Sequence, residues 1–380
     1  MKEGKWGVFL AEKWFKGAKN SPDYLLAFTI LLLLSIGVIM VYSASAIWGE
    51  YKFDDGFFFV KRQLLFAGAG IAAMLVVMNV PYSSWQKYAK PLLFICFLLL
   101  LAVLVPGIGL VRGGARSWIG VGAFSIQPSE FMKLGLIIFL STYLASNQKY
   151  ITSFKKGFFP ALLLIFTAFG LIMLQPDLGT GVVLVLTCFV MLFVAGAKLS
   201  HFAGLAVLGI AGFLGLILSA PYRINRITAF LNPWEDPLGN GFQIIQSLYA
   251  IGPGGLMGLG LGQSLQKFFY LPEPHNDFIF AILAEELGFI GGTFLIILFG
   301  VFLWRGIRIS LAAPDTFGSL LGLGIVGMVT IQIMINVSVV IGLIPVTGIT
   351  LPFLSYGGSS LTLTLCSMGI LLNISRYAKL

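Results

Sequence analysis

The chain has 380 residues, of which 58% are apolar and 10% charged, with a formal net charge of +9. Charged residues make up about a quarter of a soluble domain, so this composition excludes a soluble fold and requires a multi-spanning membrane protein. The positive balance does not call for nucleic acid, because the basic residues are distributed as a membrane topology distributes them.

Residues 1–20 form a basic lead with Trp6, Trp14 and Phe15 among its lysines, either an interfacial amphipathic stretch or a loose tail. Ten apolar runs of roughly 20 residues follow, each long enough to span a bilayer as a helix. They fall at about 24–47, 61–80, 91–108, 128–146, 158–175, 179–197, 200–219, 276–303, 317–343 and 351–374. The expected fold is therefore an all-α integral membrane protein, one polytopic domain over 1–380 with no soluble module. The first run ends Tyr42-Ser-Ala-Ser-Ala46, which looks like a signal-peptidase site. The run is longer than a signal-peptide core and follows some twenty polar residues, so it reads as an anchor.

With the N-terminus inside, 15 of the 24 lysines and arginines lie on the inner side and eight on the outer side, with Lys133 inside a span. The positive-inside rule then puts both termini in the cytoplasm. Cys96, Cys188 and Cys366 all sit within apolar runs and read as packing residues, and the two histidines suggest no zinc site.

Two outer connections are more than linkers. Pro106–Gln127 carries Arg112, Arg116 and Trp118, and 220–275, between the seventh and eighth helices, is far longer than ordinary loops. The latter is too apolar for disorder, so short amphipathic or re-entrant helices are expected there. Its glycine run, Gly252-Pro-Gly-Gly-Leu-Met-Gly-Leu-Gly-Leu-Gly262, has no Gly-Lys-Ser/Thr ending and no preceding strand, which rules out a nucleotide loop. It reads as pliant backbone whose N–H groups could help hold a pyrophosphate.

Asp277, in Leu271-Pro-Glu-Pro-His-Asn-Asp277-Phe-Ile-Phe, is the leading candidate for chemistry. An ionisable group at membrane depth is costly and by default suggests function, although a carboxylate at a helix mouth also suits a cap. As a base it would be partly desolvated, with its pKa raised towards the working range. Glu285 lies some 80° around the helix from Asp277 and is the better supporting acid; Glu286 faces nearly opposite and suits a partner on another helix. Glu130 and Lys133 are spaced i,i+3, either a structural ion pair or a polar wall to a cavity in which Lys133 meets an anionic head group. Arg112, Arg116, Arg223 and Arg226 run against the positive-inside bias, as bidentate phosphate recognition would explain. Trp118 could anchor at the head-group level or stack on a sugar. Asp177 reads as a helix cap, and Gln332 with Asn336 as inter-helix hydrogen bonding. The Pro- and Gly-rich segment 345–360 breaks the last two helices apart, which is tolerated only where backbone is buried in protein or lines a cavity.

Taken in order, Gly114-Ala-Arg-Ser-Trp-Ile119, Gln127-Pro-Ser-Glu-Phe-Met-Lys133, Gln175-Pro-Asp-Leu-Gly-Thr180, Leu271 to Gly288 and Gly348 to Ser360 resemble the shape, elongation, division and sporulation (SEDS) family of RodA/FtsW/SpoVE-type peptidoglycan polymerases. Val346-Thr-Gly-Ile-Thr-Leu-Pro352 looks closer to its division and sporulation members. The resemblance implies a ten-helix enzyme that polymerises lipid II into glycan strands outside the membrane, working with a class B penicillin-binding protein. It also implies that Asp277 is the catalytic residue and that Glu130 and Lys133 line a central cavity. Arg112, Arg116, Trp118, Glu130, Lys133, Arg223, Arg226 and Glu285 are the expected substrate contacts. A divalent cation beside the pyrophosphate is compatible with this chemistry, although no cage of carboxylates is evident. A lipid II flippase and a non-catalytic scaffold for a transpeptidase are the alternatives.

Overall fold

The computed structural model describes residues 20–112, 115–121, 124–218, 230–239 and 241–379. Its helices are α1 (Tyr24–Phe53), α2 (Phe58–Met78), α3 (Ser83–Leu104), α4 (Pro128–Ser146), α5 (Phe159–Met173), α6 (Leu178–Val194), α7 (Leu199–Leu218), α8 (Phe242–Ile251), α9 (Ile279–Leu311), α10 (Thr316–Val340) and α11 (Gly358–Ser375). A helix stands at each of the ten apolar runs. Among the described residues, seven helices are long and apolar enough to cross a membrane: α1, α2, α3, a unit reaching from Phe154 to Met173, α9, α10 and α11. The chain is a multi-pass membrane protein.

Aspartates start three of these helices. The Asp23 side chain accepts from the Leu26 N–H at 2.8 Å, that of Asp177 from the Thr180 N–H at 3.1 Å, and that of Asp315 from the Gly318 N–H at 2.6 Å. Each satisfies an orphan donor at the positive end of a helix dipole. All three acids also join separate helices, Asp177 through Ser129 of α4. Asp23 pairs with Arg305 of α9 at 2.6 Å, and Asp315 accepts from the Tyr82 hydroxyl at 2.8 Å.

The most enclosed helix is α11, which runs along α2 and touches α9, α10 and α4. Close approach depends on glycine where backbones meet. A Cβ on Gly369 would lie 2.6 Å from the Met74 carbonyl, and one on Gly37 would strike the Phe353 carbonyl. In membranes, where apolar burial drives association weakly, such small-residue contacts carry packing.

One of the two outer connections departs from the sequence reading. The Pro106–Gln127 connection folds into a three-stranded antiparallel sheet of β1 (Gly109–Arg112), β2 (Ala115–Val121) and β3 (Phe124–Ile126). Alternation over so few residues is too brief to stand out beside the long apolar runs. The long connection contains α8 as expected, with Ile244, Ile245, Ser247 and Ala250 on its buried side and the Ser247 hydroxyl donating to the Val340 carbonyl at 2.7 Å.

α9 is broken at Gly288, whose φ of 64° and ψ of −164° leave helical geometry. This is a region only glycine occupies readily, and a Cβ there would stand 2.3 Å from the Gly258 nitrogen. Gly288→Ala is therefore expected to lower stability by about 1–3 kcal/mol, seen as a fall in Tm of the detergent-purified protein. An unchanged Tm would mean that the break is not built on this glycine.

Candidate functional site

Residues 341–357 leave helical geometry between α10 and α11 and return to the bundle beside the mouth of α9. Backbone released inside a membrane bundle must find partners. The Asn336 amide supplies two bonds, donating from Nδ2 to the Asp277 carbonyl and to the Ile349 carbonyl, each at 2.7 Å. The Tyr356 N–H donates to the His275 carbonyl at 2.9 Å. On the other side Gln63 of α2 donates to the Ser355 carbonyl at 3.2 Å and accepts from the Gly357 N–H at 3.4 Å. The two segments that interrupt the helices are thus strapped to each other, with Asp277 between the straps.

The approach to Asp277 is a tight turn. Glu273, between Pro272 and Pro274, adopts φ 45°, a left-handed conformation costly for a side-chain-bearing residue. Its carboxylate accepts from Asn276 Nδ2 at 2.6 Å. His275 is buried, with its ring 4.4 Å from Phe59 and 5.6 Å from Tyr356. Burial, helped by Lys52, lowers its imidazole to about 4, so it is neutral at physiological pH. Asp277 is half-buried, and its carboxylate has no ion-pair partner among the described residues. Burial raises its pKa to about 7, against its own backbone N–H, which lowers it, while Glu273 adds a smaller upward push. The group therefore changes protonation in the range a general base needs.

The α4 and α6 mouths join this end of the bundle. Glu130 and Lys133 form a buried ion pair at 2.8 Å. One oxygen of Asp177 accepts from Gln127 Nε2 at 2.8 Å and from the Ser129 hydroxyl at 3.2 Å, so the cap of α6 also fixes the first turn of α4. Gly179 packs against the 345–357 segment, where a Cβ would lie 2.6 Å from the Thr347 carbonyl. Contacts therefore run from the first turn of α4 through Asp177, Gly179 and Ile349 to Asn336 and Asp277.

Glu285 and Glu286 are both fully buried, and here the geometry corrects the expectation that Glu285 supports a substrate. One of its oxygens accepts from the Ser264 hydroxyl at 2.5 Å, the other from the Leu265 N–H at 2.8 Å. Glu286 does find another helix. It accepts from the Ser43 hydroxyl of α1 at 2.6 Å and pairs with Lys267 at 3.0 Å. The glycine run has no N–H groups of Leu259 and Gly260 to offer a pyrophosphate, because these donate to the Glu285 and Glu286 carbonyls, each at 3.0 Å.

Of the candidate arginines, Arg116 has a described side chain. Arg116 is exposed on β2 opposite Val111, and Trp118 is half-buried opposite Leu110. Arg112 ends β1; its side chain, together with all of Arg223 and Arg226, lies outside the described residues. Among the described residues no group of three His, Cys, Asp or Glu side chains could hold a metal ion. An apolar cavity of about 510 Å³ lies between α6, α7 and α10, lined by Phe189, Phe202, Met334 and Ile344 among others. Asp277 does not line it.

Residues 23–380 match the family model for FtsW, RodA and SpoVE, described as "Cell cycle protein". The chain belongs to this family. It is 68% identical to stage V sporulation protein E of Bacillus subtilis (strain 168), over 95% of this chain and 99% of that protein. Identity to the probable peptidoglycan glycosyltransferase FtsW of Geobacter sp. (strain M18) is 45%, over 93% of this chain and 96% of that protein. Among solved structures, a chain from a peptidoglycan synthase complex that coordinates polymerization and crosslinking superposes with a TM-score of 0.80 at 33% identity, covering 93% of this chain and 98% of that one. The RodA of Thermus thermophilus gives 0.69 at 30% identity, over 94% and 98%. The nearer likeness to sporulation and division members agrees with the wording of Val346 to Pro352.

Within this family fold, the straps that hold Asp277 were the part least visible in sequence. Asn336 was expected only as inter-helix glue, and Gln63, Lys267 and Ser43 carried no signal beyond being polar residues in apolar surroundings. Asn336→Leu would orphan two buried carbonyls, at about 1–3 kcal/mol for each group. A drop in Tm is expected, together with greater accessibility of 345–357 to limited proteolysis. A variant as stable and as protected as the parent would show that the amide does not carry these straps.

Proposed function

We propose that Asp277 is the general base of the glycosyl transfer that builds glycan strands from lipid II. The chain is a peptidoglycan glycosyltransferase of the FtsW/RodA/SpoVE type. One observation carries the assignment to Asp277. It is a half-buried carboxylate without a salt bridge among the described residues, held from both sides through backbone, and titrating near neutrality. A capping acid such as Asp177 is committed to N–H and amide donors instead.

In the proposed reaction the hydroxyl of a lipid-linked disaccharide attacks the anomeric carbon of the growing strand. The new C–O bond forms as the bond to the lipid pyrophosphate breaks. The electron pair leaves with the pyrophosphate and the hydroxyl proton passes to Asp277. Arg116, on its exposed hairpin, supports a role in receiving an anionic head group, and Arg112, Arg223, Arg226 and Lys133 are assigned to the same task. Trp118 is assigned to the sugar. Fixed geometry and electrostatic complementarity would supply most of the acceleration, and the proton transfer itself about 10²–10⁴-fold. The apolar cavity between α6, α7 and α10 suits the hydrocarbon tail of such a substrate.

The excess of basic residues on the opposite side supports placing both termini in the cytoplasm, with Asp277 facing outward. The solved synthase complex supports a cross-linking partner, which we assign to a class B penicillin-binding protein. The sporulation and division relatives support a location at the septum.

Asp277→Asn, purified in detergent with normal yield, is expected to lose about 10²-fold or more of lipid II polymerisation. In detergent no leaflets exist, so strand formation by the parent also separates polymerase from flippase. Strand synthesis by the variant at the parent rate would remove the base assignment. The parent rate should climb as pH rises through about 7, because only the ionised carboxylate accepts a proton.

Stability should run the opposite way. The folded pKa of Asp277 lies above its ordinary value, so the folded state binds more protons between about 4 and 7 and loses stability as pH rises through that window. Asp277→Asn is expected to have a higher Tm than the parent at pH 8, with the gap closing towards pH 4. Equal Tm values at pH 8 would mean that the carboxylate is not desolvated.

A further inference from the structure

The break at Gly288 turns the first part of α9, Ile279–Leu287, into a short half-helix separated from the rest of the span. Asp277 stands at its mouth, so any swing of that half-helix about Gly288 moves the carboxylate. Four main-chain bonds clasp the break from the glycine run. Leu259 and Gly260 donate to the Glu285 and Glu286 carbonyls, each at 3.0 Å, while Phe289 and Ile290 donate to the Gly255 and Leu256 carbonyls at 2.9 and 3.1 Å. The approach is backbone to backbone. A Cβ on Gly254 or Gly258 would collide with the carbonyls of Ala284 and Glu286 respectively.

Main-chain bonds of this kind form wherever two ribbons lie in register, so they need something to hold the register. Lys267 provides it. Its buried ammonium donates to Glu286 at 3.0 Å and to the Gly262 carbonyl at 2.6 Å, and stands 3.5 Å from the Ser43 hydroxyl. The same Ser43 hydroxyl donates to Glu286, which ties α1 into the cluster. Glu285 meets no cation among the described residues; its carboxylate is met by the Ser264 hydroxyl and by backbone N–H groups. Among the described residues this lysine is the charged bond that joins the loop to the half-helix, with α1 brought in through Ser43. The pair is buried, and a buried ion pair is damaged most when one partner alone is removed.

We infer that Lys267 is a positioning residue for the transfer reaction: paired with Glu286, it locks the glycine run onto the broken turn of α9 and so fixes Asp277. This rests on the reading of Asp277 as the base, nine residues or about 13 Å along the half-helix from the latch. Lys267 touches neither substrate nor reacting atoms; it acts through the half-helix.

The test uses the full-length chain in detergent with lipid II, comparing the parent with Lys267→Met, Lys267→Arg, the double variant Lys267→Met/Glu286→Gln, and Asp277→Asn. Lys267→Met is expected to lose about tenfold or more in kcat with KM within about threefold. The pH midpoint of its residual activity should fall by about half a unit or more as water reaches Asp277. Amide exchange at Leu259 and Gly260 should quicken about tenfold or more. Lys267→Arg should retain most activity, and the double variant, which removes both charges together, should return kcat to within about threefold of the parent.

Parent-like kcat in Lys267→Met, or lost kcat with unchanged exchange at Leu259 and Gly260, would overturn the proposal. If Lys267→Met does not fold, the double variant decides, and its failure to polymerise would be equally fatal. If instead the parent forms no strands, or Asp277→Asn forms them at the parent rate, it is the base assignment that fails, and the exchange measurement still judges the latch.

Discussion

Backbone that leaves helical geometry inside a membrane bundle has no water to turn to, and every N–H and C=O it releases must be met by protein. Here two interruptions are made to meet that demand together. Asn336 gives both of its amide protons to carbonyls, one from the stretch that carries Asp277 and one from the stretch between α10 and α11. The cost of each interruption is offset by the other, so neither can shift alone. The position of Asp277 is thereby set by main-chain geometry that changes of side-chain rotamer do not disturb.

The same economy explains the charges around the site. Asp177 closes the α6 mouth and draws in the start of α4, where Glu130 and Lys133 pair with each other. Glu285 and Glu286 are fully taken up by Ser264, Lys267, Ser43 and backbone donors. Almost every acid at this end of the bundle is committed to a partner. Asp277 has no ion-pair partner among the described residues, and a partly desolvated carboxylate in that state is what proton transfer requires.

The helices were legible in the sequence because their apolar runs are long and their starts are marked by Asp23, Asp177 and Asp315. Asp277 was legible because a carboxylate stands out among apolar residues, and Glu286 because rotation along a helix gives its facing directly. The small sheet was not: its strands are three to seven residues long, too short for alternation to compete with the surrounding hydropathy. The role of the glycine run was also hidden. A glycine-rich stretch reads alike whether its N–H groups await a ligand or are spent on another backbone, and only the break at Gly288 shows where they go. Glu285 was assigned to substrate for a related reason, since the loop that takes up its oxygens returns from twenty residues away in sequence.

The clasp between the glycine run and α9 is made of main chain, and main chain is common to all residues. Leu256, Met257, Leu259 and Leu261 all turn outward from it and are exposed, so their identities contribute little to the register beneath them. The ribbon therefore has one face bound by geometry and one face left open to drift. Over evolutionary time the outer surface of this loop can be rewritten to suit new neighbours while the main-chain clasp beneath it stays in place.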